Sequence, residues 1–114
     1  MEPLLVYNVS IGYVYLEEGE GMREHQHDID FVAESHAEAI DAAVAWSQNR
    51  YEAYFKDAYK NCEIGSLKLY QKWIGIPEPS GFIPTHTWGC LFEWKYDWPG
   101  TLSQYVSEFK SKHP

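Results

Sequence analysis

His25-Gln26-His27, followed by Asp28, is the fragment of this chain whose residue types best suit a metal site. Along an extended strand, residues two apart point the same way with Cα atoms about 6.5 to 7 Å apart, so both imidazoles reach one cation. A third ligand must come from elsewhere. His86 and Cys90 are the candidates, and together they also suggest a Cys-His nucleophile pair. Four residues of strand place them about 13 Å apart, too far to share one metal or to form that pair, so at most one joins His25 and His27 from a neighbouring strand. The chemistry implied is that of a small metal- or thiol-dependent enzyme using His25, His27 and His86 or Cys90. The competing expectation is structural: His25 and His27 share the parity of Ile29 and Phe31, which puts both imidazoles at the rim of a core. There they could also sense pH, since protonation beside an acidic loop changes charge in the physiological range.

Other catalytic signatures are missing. The sequence contains no GxSxG, no Gly-rich phosphate loop before a helix, no HExxH and no CxxC. Glu17, Glu18, Glu20 and Glu24 supply carboxylates, but a turn does not hold them in the fixed positions that acid-base catalysis requires. No catalytic residue and no cofactor are therefore expected. Cys62 and Cys90 show no paired spacing, and the start of the chain has neither a basic leader nor a long apolar run. The expectation is a cytoplasmic protein with two reduced thiols and no membrane span.

The charge is uneven. Residues 1–49 carry ten Asp/Glu against Arg23 alone, whereas residues 50–114 are nearly balanced, so the net charge of −8 comes almost entirely from the first half. An acidic half argues against direct binding of nucleic acid and for attraction to a basic partner. The strand HTWGCLFEWKYDW, with lysines nearby, resembles a base-stacking platform, but such a platform needs exposed rings beside a positive groove.

The elements follow from periodicity. LLVYNVSIGYVYL at 4–16 alternates, EEGEGMRE reads as a solvated acidic turn, and HQHDIDFVA at 25–33 resumes the alternation, which makes a hairpin. Ser35, three residues before Glu38, opens a long helix with Ile40, Val44, Ser47, Tyr51, Phe55 and Ala58 as its core stripe. Trp46 falls off that stripe and implies a second contact, with the C-terminal helix or with another chain. Gly65 to Trp73 forms a third strand, and GIPEPSGFIP at 75–84 reads as a Pro/Gly loop. His86, Trp88, Cys90, Phe92, Trp94, Tyr96 and Trp98 share one parity and should form the inner wall of the core rather than a platform. Thr101, spaced three from Gln104, opens a short helix with Leu102, Tyr105, Val106 and Phe109 inward.

The order β-β-α-β-β-α predicts a single α+β domain over 1–114, a four-stranded antiparallel sheet with one long helix and a short C-terminal helix on one face. The uncovered face should show Asn8, Ser10, Asp28, Asp30, Lys68, Tyr70, Lys72, Glu93 and Lys95. On this frame the expected function is non-catalytic binding of a protein partner with a basic surface, through Glu17, Glu18, Glu20, Glu24, Asp28, Asp30 and Trp46. A homodimer through the Trp46 sector or a free sheet edge is also expected.

The short length, the acidic first half and the strand-to-helix segment MREHQHDIDFVAESHAEAIDAAVAW resemble, in style, the small acidic inhibitors encoded by phages and mobile elements, of anti-CRISPR or anti-restriction type. That resemblance implies an inhibitor that occupies a basic nucleic-acid-binding surface in the host cytoplasm. These inhibitors share no diagnostic motif, so no residue roles are carried over from them.

Overall fold

Along β1 (Leu4–Glu17), Tyr7, Val9, Ile11, Tyr13 and Tyr15 alternate with Asn8, Ser10 and Gly12. The first set is buried, so this strand must lie inside a sheet with its large side chains under a second layer. The computed structural model describes the backbone of residues 4–78 and 81–114 and the side chains of 5–72 and 89–114. The remaining elements are β2 (Gly21–Ala33), α1 (His36–Arg50) with a π-helical turn Tyr51–Phe55, β3 (Lys60–Glu78), β4 (Gly81–Lys95) and α2 (Leu102–Lys112). All four strands pair antiparallel in the order β2-β1-β3-β4, and both helices pack on one face, as expected.

α1 starts where the capping signal puts it: Ser35 accepts from the Glu38 amide at 3.1 Å. Its contact stripe keeps the expected Ile40, Ser47 and Phe55 buried, with Val44 and Tyr51 against the core, and widens toward Ala39 and Ala43. Ala39, Ile40, Ala43 and Ser47 are buried, Val44, Trp46 and Tyr51 flank them half-buried, and Ala58 is exposed. The sheet beneath presents the fully buried side chains of Tyr7 and Tyr13, and the helix buries Ala39, Ala43 and Ser47 beside Ile40. Trp46 therefore does not open a second apolar sector; it packs at the flank of the same core. The buried Tyr13 hydroxyl donates to the Ser47 carbonyl at 2.8 Å. One turn later the helix widens, and the Lys56 amide reaches back five residues to the Tyr51 carbonyl at 2.9 Å.

α2 opens with the expected capping box, Thr101 and Gln104 each accepting from the other's backbone amide. It docks by Phe109, edge-on to Phe92 with ring centres 5.6 Å apart, and by an ion pair from Lys110 to Asp41 on α1. Every ion pair among the described residues joins side chains that are exposed or partly exposed, worth at most about 1 kcal/mol each. A fully buried large apolar side chain contributes about 1.5 to 3 kcal/mol, so the sheet-helix core holds the fold.

The second hairpin departs from expectation in two ways. GIPEPSGFIP is not a loop: the strands pair through Gly75 with Pro84, Ile76 with Ile83, Pro77 with Phe82 and Glu78 with Gly81. β4 is the edge of the described sheet, a position at which a strand tolerates proline. The tip at 79–80 and the side chains of Trp73, His86 and Trp88 lie outside the described residues. The strict alternation of β4 also fails, because the register slips between Leu69–Phe92 and Tyr70–Cys90, leaving Leu91 extra. Phe92 and Trp94 stay in the inner wall, while Cys90 comes opposite Tyr70 and is exposed. Tyr96 is exposed beyond the strand end, and Trp98 packs on Tyr105 of α2.

Candidate protein-binding surface

The open face of the sheet is built in rows by register. Gln26, Gly12, Ser66 and Lys95 form one row; Asp28, Ser10, Lys68 and Glu93 the next; Asp30, Asn8, Tyr70 and Cys90 the third. Because β1 contributes only small residues, it is the floor of a trough of about 540 Å³ with longer side chains from β2 and β3 as walls. Seven of the nine residues expected on the uncovered face line it. Gly12 lets the walls close over it, since a Cβ at that position would stand 2.5 Å from Ser66 Oγ and 2.6 Å from Glu24 Oε1 and both side chains would have to shift.

The two trough walls carry opposite charge. Lys72 reaches over β1 to bridge to Asp30, which also accepts from Asn8 Nδ2 at 2.9 Å. Those bonds, Lys72 foremost, hold the Asp30 carboxyl below its usual range against the opposing effect of burial. Asp28, two residues along, makes no such ion pair, and neither does Lys68 across Ser10. Glu24 accepts from the neighbouring Gln26 amide at 2.7 Å.

The acidic tip is smaller and better compensated than its sequence suggests. The turn is only Glu18–Glu20, with Gly19 and Gly21 at positive φ, and Arg23 bridges both Glu17 and Glu20. The lone cation of the first half thus stands against two of the tip carboxylates. Glu18 makes no ion pair among the described residues. The structure thus brings Glu17, Glu18, Glu20, Glu24, Asp28 and Asp30 together along one hairpin, and it separates Trp46, which lies in the helical layer behind the sheet.

His25 and His27 lie on that covered side. His25 stacks on Tyr15 at 5.4 Å with nearly parallel rings, His27 meets Phe55 edge-on at 5.4 Å, and the two imidazole centres are 6.2 Å apart. Burial chiefly, and then Arg50 and His25, push the His27 imidazole below its usual pKa, with Asp28 opposing. Burial also pushes the Tyr13 hydroxyl up to about 12. Neither proposed third ligand joins the pair. Cys90 stands on the opposite face, and the backbone of His86 pairs with Trp73, three strands and five residue levels from His27. That separation is about 14 Å across and about 17 Å along the sheet. No group of three His, Cys, Asp or Glu side chains suited to a metal occurs among the described residues. The pair is bounded by aromatic rings, matching the core-rim expectation.

Sequence reasoning missed a second imidazole cluster at the other end of the helical layer. His36 Nδ1 lies 2.8 Å from the Tyr7 hydroxyl, and its ring meets His113 edge-on at 5.3 Å. Burial foremost, then His113, lowers the His36 pKa. The residues are far apart in the chain, and none has a local pattern that announces the meeting.

Fold and surface together define an α+β domain with a polar, uncovered sheet face and an acidic edge hairpin. No helix among the described residues is long and apolar enough to cross a membrane. No protein-family model, curated protein or solved structure matches the chain.

Proposed function

We propose that this chain is a small acidic, non-catalytic protein-binding domain that occupies a basic nucleic-acid-binding surface of a partner. It would act as an inhibitor of anti-CRISPR or anti-restriction type in a host cytoplasm. The observation that carries the reading is the run of carboxylates along the β1–β2 hairpin: Glu18 at the turn, then Glu24, Asp28 and Asp30 on one face of the edge strand. Among the described residues, the bridge from Lys72 to Asp30 is the one ion pair that these four carboxylates make. Such a field speeds encounter with a positive surface and disfavours negatively charged competitors.

Magnitudes refine the mode. Same-face residues of a strand recur about every 6.6 to 6.8 Å, so Glu24 and Asp28 are about 13 Å apart and Asp28 and Asp30 about 7 Å. Phosphates recur about every 3.4 Å per strand of duplex DNA. The hairpin is therefore too sparse to copy a nucleic acid charge for charge, and its advantage would be occupancy of the channel combined with a complementary field.

The test uses a partner captured from the native host, an oligonucleotide bound by that partner, and the triple variant Glu18→Lys, Glu24→Lys, Asp28→Lys. Glu17 and Glu20 are left in place so that Arg23 stays bridged. The expected result is mutual exclusion of domain and oligonucleotide, affinity that falls with added salt, and loss of binding in a variant that remains folded. Simultaneous binding of the oligonucleotide, or unchanged affinity of the triple variant, would sink the reading.

A further inference from the structure

The sheet has two edges, and they are not alike. An edge strand presents a row of unpaired amides and carbonyls that another chain can extend, and proteins commonly blunt such edges with bulges, prolines or a covering element. β4 is interrupted: its register with β3 slips twice, and it contains Pro84. β2 pairs with β1 over thirteen consecutive residues with no slip, has no proline, and among the described residues has no strand on its outer side. Nothing regular about its backbone prevents a fifth strand from adding there.

Side-chain charge decides which strand that can be. On the open face β2 shows Glu24, Gln26, Asp28 and Asp30 in succession. A second copy of this chain is disfavoured. Antiparallel self-pairing centred on Gln26 sets Glu24 against Asp28 of the other copy, and pairing centred on Asp28 sets that carboxylate against itself. Like charges directly opposite are destabilising across a ladder, whereas opposite charges attract. On the covered face β2 offers the half-buried Ile29 and Phe31, which accept apolar neighbours.

From the uninterrupted register and this charge pattern we infer that β2 docks an extended segment of a protein partner by strand addition, with lysine or arginine at alternate positions facing Glu24, Asp28 and Asp30. Backbone hydrogen bonds along the edge supply affinity and the alternate basic side chains supply selectivity. The inference rests on the reading of a basic partner and names how that partner is held.

A capped synthetic peptide alternating lysine with threonine or valine is the probe, titrated into isotope-labelled protein with backbone amide shifts as the readout. Its control is the same sequence with alternate backbone amides N-methylated, which keeps the charge and removes the pairing. The expected result is saturable binding with the largest shifts in β2, weakened about tenfold or more by N-methylation and equally by Glu24→Lys with Asp28→Lys. Equal binding of both peptides, abolished by the charge reversal, overturns strand addition and leaves the basic-partner reading standing. Binding that ignores the charge reversal, or no binding of the probe together with a captured partner that also ignores it, overturns both. Retained amide dispersion in the variant shows that the fold is intact.

Discussion

The two hairpins of this protein divide its work. β1–β2 runs in unbroken register and keeps its charges outside, while β3–β4 slips twice, carries prolines and supplies Phe92 and Trp94 to the core. Alternation in a sequence reports the two faces of a strand only while the register is continuous, because one extra residue moves everything beyond it to the other face. The regular hairpin is therefore the one whose surface can be read and used as a template. The irregular one supplies Phe92, on which α2 docks, while α1 lies over the sheet that includes the buried Tyr13 of β1.

The largest expected effect tests that division on the core side. Phe92→Ala removes the ring against which Phe109 docks α2, and it should lower the unfolding free energy by about 3 to 5 kcal/mol in a urea titration. A cost comparable to that of a surface substitution would mean that β3–β4 does not hold α2. Next comes the slip itself. Cys90 is exposed and Cys62 buried, so a maleimide should modify Cys90 first by about a hundredfold or more, a ratio equal to about 2.7 kcal/mol of local opening. Burial pushes both thiols up, and the Cys90 sulfur leans on the Phe92 carbonyl at 3.5 Å, so the comparison belongs at mildly alkaline pH. Protection of Cys90 equal to that of Cys62 would restore strict alternation. The smallest effect lies at the seam between the hairpins, where a Cβ on Gly65 would stand 2.6 Å from Val14 Cγ1. Gly65→Ala should cost about 1 to 3 kcal/mol by the same titration, and a neutral result would show that the seam has room.

The fold was legible because its strongest signals are local. The period of two in β1 and β2, the capping residues Ser35 and Thr101, and the helical spacing of α2 each determine one element without reference to another. The trough was legible for the same reason, since the small residues Asn8, Ser10 and Gly12 sit at fixed parity. What escaped depends on partners distant in sequence. The burial of Ala39 and Ala43 beside the expected stripe depends on how α1 lies on the sheet, and the pairing of Gly75 with Pro84 depends on how β3 meets β4. Arg23 was visible, but its position opposite Tyr15, within reach of both Glu17 and Glu20, is a property of the turn. His25 and His27 were correctly placed on one face, yet only the register shows that Cys90 and the backbone of His86 lie elsewhere.

The central claim is that contact is made by the regular, acidic hairpin and not by the aromatic one. Hydrogen exchange of the protein, alone and bound to the partner captured from its host, tests it most directly. The account predicts new protection concentrated in the β2 amides between Met22 and Val32, with β4 and α1 unchanged. Protection confined to β4, or to the helix around Trp46, would contradict it.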